Sequence, residues 1–153
     1  MYKKVLVPLD GSELAECVLP HVESIAKGCE AGSVVFVRAF EPYTVNYARA
    51  ELSEKQIEEA DERAKRAAGE YLDQVASRVK LGGVKVQKEL ITGRAADSIA
   101  EYATKNGVDL IILATHGRSG VSRWVWGSVA DRILRSACVP VLMVRAPGCV
   151  PGT

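Results

Sequence analysis

Leu110-Ile111-Ile112-Leu113-Ala114 runs straight into Thr115-His116-Gly117-Arg118-Ser119-Gly120, and this stretch decides the fold. Five uninterrupted apolar residues suit a strand covered on both faces, the pattern of a parallel sheet with helices over each side. The polar, glycine-punctuated run that follows turns the chain at the strand's end. Residues 121–126 come next, and Gly127-Ser128-Val129 then opens a helical segment.

Four more apolar runs of strand length lie outward from this unit, at residues 5–9, 34–40, 84–91 and 141–144. The first and last are nearly continuous in apolar character, as buried parallel strands are. The run 84–91 mixes alternation with charge, which suits an edge strand. Helical periodicity fills the gaps. Segment 13–27 places Leu14, Val18, Val22 and Ile25 on one face, and segment 53–80 places Ile57, Ala60, Ala64, Ala68, Tyr71, Val75 and Val79 on another. Segment 95–105 turns Ile99 and Tyr102 inward, and 128–136 turns Val129, Ile133 and Leu134 inward. Strand and helix alternate to the end, which predicts an α/β fold: one open parallel five-stranded sheet with helices on both faces. Residues 1–146 read as one domain and 147–153 as a loose C-terminal tail. The connection 41–51 is longer than such units need. It leaves the edge of the sheet where ligands bind, and ligand binding is expected to order it.

Composition narrows the function classes. With 153 residues there is room for one core. A formal net charge of +1 argues against a nucleic-acid binder that works through a broad basic surface. No window approaches the roughly 20 apolar residues of a membrane span, and the start Met1-Tyr2-Lys3-Lys4 with Val5-Leu6-Val7 is too short an apolar stretch for a signal peptide. A cytoplasmic address is the resulting expectation, with neither nucleic acid nor membrane as partner. Cys17, Cys29, Cys138 and Cys149 form no C-x-x-C pair, and His21 and His116 are far apart, so a structural zinc site is not expected.

The chemistry concentrates in two loops. Gly117 and Gly120 free the backbone to turn and to let a phosphate approach amide N–H groups. Gly127 and Ser128 start a helix whose unpaired N–H groups and dipole favour an anion, and Arg118 adds a charge that can grip phosphate oxygens. Each piece has a plainer reading: the glycines as a turn, Ser128 as an N-cap with Asp131 closing a capping box. The second loop is Val7-Pro8-Leu9-Asp10-Gly11-Ser12. Asp10 can hydrogen-bond a ribose or hold Mg²⁺ beside phosphates, or it can cap the following helix with Glu13 three residues on. If the sheet reverses direction after its third strand, the first and fourth strands become central neighbours, and the two loops flank one crevice.

The spacing Ala114-x2-Gly117-x9-Gly127-Ser128 resembles the G-x2-G-x9-G-[ST] signature of the ATP-binding branch of the universal stress protein family. Lys4-Val5-Leu6-Val7-Pro8-Leu9-Asp10-Gly11-Ser12 and Val139-Pro140-Val141-Leu142-Met143-Val144-Arg145 resemble that family's first and last strands, so the likeness spans residues 2–146. The resemblance implies a Rossmann-like fold of the adenine nucleotide alpha hydrolase type. It implies that Leu113, Ala114, Thr115, His116, Gly117, Arg118, Ser119 and Gly120, with Gly127, Ser128 and Val129, wrap the ribose and phosphates of ATP. Pro8, Leu9 and Asp10 would line the other side, and Ala39 would meet adenine through its backbone. Mg²⁺ or Mn²⁺ would accompany the phosphates, with Asp10 as the candidate ligand. This chain departs from the signature at its first glycine, which is Ala114. A methyl group there hurts if the position needs φ > 0 and costs little in ordinary strand geometry.

Three function classes follow: a nucleotide-binding regulator, an enzyme acting on nucleotides, and a nucleotide-free adaptor. The G-x-x-x-x-G-K-[ST] loop of P-loop enzymes is absent and no nucleophile and base pair stands out, so at most slow ATP hydrolysis is expected and no catalytic residue is assigned. A cyclic nucleotide is the alternative ligand, since a smaller phosphate can use the same cradle. The Trp124–Trp126 pair reads as a short apolar turn under the loop. The apolar last strand, Pro140-Val141-Leu142-Met143-Val144-Arg145, would be an exposed sheet edge that something must cover. The family resemblance implies a homodimer through it.

Overall fold

The computed structural model describes residues 2–42, 53–115 and 127–145. Five strands, β1 (Lys4–Pro8), β2 (Ser33–Phe40), β3 (Lys85–Thr92), β4 (Leu110–Ala114) and β5 (Val141–Val144), form one sheet in the order β3-β2-β1-β4-β5. Every neighbouring pair is parallel. The chain thus builds outward from β1 to one edge, returns to the centre, and builds to the other edge. β1 and β4 meet at the reversal, with Val5 opposite Leu110 and Leu6 opposite Ile111.

The helices are α1 (Glu13–Glu16), α2 (Leu19–Gly28), α3 (Glu54–Arg78), α4 (Ala95–Lys105) and α5 (Ser128–Ser136). Alternate strand residues point to opposite faces, and each face has its own core. Val5, Val7, Val34, Phe36, Leu110 and Ile112 pack with Val18 and Val22 of the α1–α2 region and with Leu72 and Val75 of α3. Leu6, Val35, Val37, Ile111 and Leu113 pack with Ile99 and Ala103 of α4 and with Ala130 and Ile133 of α5. Both faces are therefore sealed, which is why β1, β2 and β4 read as near-continuous apolar runs.

Three expectations are corrected. The single helix expected over 13–27 is two, because Pro20 has no N–H to offer and its ring clashes with a helical carbonyl four residues back, at Glu16. α1 stops at Glu16, and Pro20 sits in the first turn of α2, where a proline is tolerated. Val129 and Leu134, expected inward, are 42% and 43% exposed; Ala130 and Ile133 are the buried residues of α5. Each misplaced residue stands about 100° around the helix from a buried one. Leu72 joins the buried stripe of α3, whereas Ala60, Ala64 and Val79 of the expected stripe are only half-buried. α3 starts at a full capping box, Ser53 with Gln56. Most of the connection 41–51, the loop 116–126 and the expected tail 147–153 lie outside the described residues.

The turn into β2 is tight. A Cβ on Gly32 would stand 2.8 Å from the Lys3 carbonyl oxygen, the same oxygen that accepts the Ser33 N–H at 2.9 Å. Gly69, inside α3, has nothing within 4 Å of the same position. Gly32→Ala is expected to destabilise the fold by about 1–3 kcal/mol and Gly69→Ala to stabilise it by about 0.5–1 kcal/mol. Urea midpoints of the two variants check this; shifts of the same sign would contradict the packing described.

Candidate functional site

The strand reversal leaves a crevice at the carboxyl edge of the sheet, and there the structure has a cavity of about 340 Å³. Its walls come from Pro8, Leu9 and Asp10 after β1, from Leu113, Ala114 and Thr115 at the end of β4, and from Gly127, Ser128 and Val129 at the start of α5. Ala39 of β2 lines it as well. All the described residues expected at a ligand site thus surround one space, at a size in the range of small-molecule sites. His116, Gly117, Arg118, Ser119 and Gly120 lie outside the described residues.

Sequence reading missed part of the wall. Ala95 and Ile99 of α4 line it, as do Ala15, Ala130 and Ile133, and so does Arg38 of β2. Arg38 carried a signal: it is the one charged residue in the run Ser33–Phe40.

The start of α5 differs from the capped start expected for it. Gly127 is the N-cap and has no side chain to hydrogen-bond the first turn. Ser128 is therefore a first-turn residue rather than a cap, and Asp131 closes no capping box. Gly127 donates its N–H to the Thr115 carbonyl at 2.8 Å, so the two ends of segment 116–126 are joined. Asp131 donates its N–H to the Gly127 carbonyl at 3.0 Å. Between them Ser128, Val129 and Ala130, which line the cavity, bring first-turn amides that the N-cap Gly127 leaves without a side-chain cap. The acidic groups nearest this helix start are paired with arginines: Asp131 with Arg135 at 2.9 Å and Asp97 of α4 with Arg132 at 2.9 Å. Their charge is thereby offset, and the positive end of the α5 dipole faces the space.

Across the crevice, the Asp10 loop is a compact turn. Asp10 Oδ1 accepts the Ser12 N–H at 2.9 Å and the Ser12 hydroxyl at 2.6 Å, and Ser12 Oγ accepts the Ala15 N–H at 3.2 Å. The capping role considered for Asp10 belongs to Ser12. Gly11 between them has φ +88°, a backbone that favours glycine. Ala114 lies in β4 and is absent from the positive-φ residues, so its methyl group costs the backbone little. Among the described residues no three His, Cys, Asp or Glu side chains gather as a metal cage. Mg²⁺ carried by phosphates needs only one or two carboxylates, so Asp10 alone fits that role and not a protein-only site.

A family model described as "Universal stress protein family" matches residues 1–145. The chain belongs to that family. It is 32% identical to Universal stress protein MJ0531 of Methanocaldococcus jannaschii, over 96% of this chain and 84% of that one. The solved structure of MJ0577 from the same organism has a TM-score of 0.82 at 28% identity, covering 95% of this chain and 96% of that one. A universal stress protein solved in complex with cAMP has a TM-score of 0.69 at 20% identity, covering 95% and 98%, a likeness that speaks to the fold. The order β3-β2-β1-β4-β5 and its helices on both faces are thus the Rossmann-like architecture of universal stress proteins.

One polar group near this family member's crevice is out of the ordinary. Tyr71 of α3 has a buried hydroxyl with no hydrogen-bond partner among the described residues, and its ring lies under Arg38, whose Cζ is 5.4 Å from the ring centroid. Burial first, then the nearby Glu16 and Asp10 carboxylates, push the phenol's pKa well above its usual range, against a smaller opposite pull from Arg38. A raised folded-state pKa adds stability that is complete below the unfolded value, about 10, and is lost as pH rises through the folded one. Tyr71→Phe is therefore expected to leave stability at neutral pH unchanged or slightly raised and to flatten its decline above about pH 10. Thermal melts of both proteins across that range check this; parallel declines would refute it.

Proposed function

We propose that the crevice binds an adenine nucleotide, ATP first, and that the protein acts as a nucleotide-dependent regulator in a cytoplasmic homodimer. The observation that carries this reading is the start of α5: amides that the N-cap Gly127 leaves without a side-chain cap, at the positive end of a helix dipole, on residues lining the same cavity as Asp10. A helix start of this kind suits a phosphate chain. Ala39 and Leu9 offer backbone and apolar surface to a base, and Asp10 offers a carboxylate to a ribose or to a phosphate-borne cation. Mg²⁺ or Mn²⁺, when bound, would neutralise phosphate charge beside Asp10. His116, Gly117, Arg118, Ser119 and Gly120 would complete the phosphate cradle on the strength of their spacing to Gly127 and Ser128. A structural neighbour solved with cAMP supports a cyclic nucleotide as the second candidate ligand.

Calorimetric titration of nucleotide-stripped protein with ATP, AMP and cAMP, each with Mg²⁺, is the direct test. ATP is expected to bind in the micromolar range and AMP more weakly. Gly127→Val is expected to weaken ATP by at least about tenfold with an unchanged melting temperature. Its φ of −52° is open to any side chain, so what the valine obstructs is the space at the helix start. Undiminished affinity in that variant would remove α5 from the site. Absence of binding by all three ligands would leave the nucleotide-free adaptor.

The homodimer reading rests on the sheet's edges. β5 is an edge strand, and Val141, Leu142 and Met143 on it are half-buried rather than covered. β3, the other edge, presents exposed Lys85 and Lys88. Charge on an edge discourages pairing and apolar surface invites it, so β5 is the strand that a second copy covers. Light scattering during size exclusion is expected to give twice the 16.5 kDa chain mass, and Leu142→Lys to return it to the monomer value. A wild-type monomer at tens of micromolar would rule the dimer out.

A further inference from the structure

Arg38 is placed as few surface cations are. The alternation that turns Val34 and Phe36 toward α2 and α3 brings Arg38 to the same face, at the carboxyl end of β2 and at the wall of the cavity. Its guanidinium lies over the Tyr71 ring. It also lies against the turn after β1: a Cβ built on Gly11 would be 3.1 Å from Nη1, 3.3 Å from Cζ and 3.3 Å from Nη2. Three nearly equal distances mean that the flat of the guanidinium faces the Gly11 backbone. A side chain at Gly11 would collide with it and would also strain a φ of +88°.

This contact sets the turn against β2. The Ser12 N–H and hydroxyl donate to Asp10 Oδ1 and the Ala15 N–H donates to Ser12 Oγ, bonds that shape the turn and join it to the start of α1. The Leu9 N–H, donated to the Val37 carbonyl at 2.9 Å, anchors the turn's entry. Beyond Leu9, the Arg38 side chain, which lies over the Tyr71 ring, brings β2 against the turn.

We propose that Arg38 is a positioning residue for the nucleotide site, holding the Asp10 turn against β2 so that the Asp10 carboxylate meets the ribose hydroxyls. The role rests on the nucleotide reading above and adds to it a determinant of sugar recognition. Arg38 acts through Asp10, at the nucleoside end of the ligand and away from the phosphates on α5. Its loss therefore changes which sugar is preferred as well as how tightly nucleotide binds. The guanidinium sets its flat face to Gly11 while lying over the Tyr71 ring, and a lysine ammonium does not reproduce that flat surface.

The test compares ATP with 2′-deoxy-ATP and 3′-deoxy-ATP by calorimetry on the wild type and on Arg38→Met, Arg38→Lys and Tyr71→Phe, with melting temperatures taken alongside. The wild type is expected to prefer ATP over at least one deoxy analogue by about tenfold, the scale of one hydrogen bond to a charged group. Arg38→Met is expected to reduce that ratio to about twofold or less, Arg38→Lys to fall between, and Tyr71→Phe, which keeps the ring, to retain it. A merely structural loss in Arg38→Met would weaken all three ligands together and keep the ratio, which would overturn the role alone. So would a wild type that binds ATP with no sugar preference. A wild type that binds none of the three would overturn the nucleotide reading and this role with it.

Discussion

The pairing of β1 with β4 is the constraint from which the remaining arrangement follows. Val5 opposite Leu110 and Leu6 opposite Ile111 join segments more than a hundred residues apart, and Asp109 reinforces the join by accepting the Lys3 and Lys4 N–H groups at 2.7 and 3.2 Å. Because parallel crossovers run right-handed, a sheet that grows from its centre in both directions must put its earlier helices on one face and its later ones on the other. The two cores divide in that way. The same reversal separates the segments that leave β1 and β4, and among the described residues no helix crosses between them. Shifting the register by one residue would turn both central strands over and exchange the contents of the two cores, so the position of the crevice is as fixed as the core itself.

What the crevice can hold is then a matter of which charges are already satisfied. The carboxylates in the first turns of α4 and α5 would repel an anion, but each is engaged by an arginine of α5. These ion pairs are exposed and add little stability; their effect is on the local field. On the opposite wall Asp10 spends part of its accepting capacity on Ser12, which caps α1, and keeps the charge that an anion-only site would not tolerate. One wall therefore favours phosphate and the other favours hydroxyl groups or a cation. The proposed ligand, with a sugar at one end and phosphates at the other, would match that polarity.

The sheet was legible because burial on both faces writes itself into composition: β1, β2 and β4 could be read from apolar runs with little error at their ends. The crevice was legible through topology, once two polar loops were seen to follow strands that a reversal would make neighbours. What escaped depended on tertiary contacts. The break at Pro20 was present as a local signal but was outweighed by a periodic stripe that runs through it. Val129 and Leu134 satisfied a helical pattern, yet the face that α5 buries is set by where it meets α4. Asp10 and Ser12 both suit an N-cap, and only the position of α1 decides between them. Arg38 was visible as a lone charge in an apolar strand, but its partners, Gly11 and Tyr71, come from segments whose approach no spacing rule supplies.

The two surfaces assigned a role, the crevice and the β5 edge, are not remote from each other. Val144, the last residue of β5, accepts the Thr115 N–H at 2.8 Å, and the Thr115 carbonyl accepts the Gly127 N–H at 2.8 Å. Two consecutive hydrogen bonds thus run from the edge strand, through a residue that lines the cavity, to the N-cap of the helix that would hold the phosphates. Thr115 is 8% exposed, and bonds so shielded from water gain strength from their low-dielectric surroundings. An occupant of the crevice that pulls on the start of α5 acts, through the two flanking peptides, on the same residue that fixes the end of β5. The assembly and the binding proposed for these two surfaces would therefore draw on a shared piece of backbone, a physical route by which the proposed nucleotide could act on the proposed dimer.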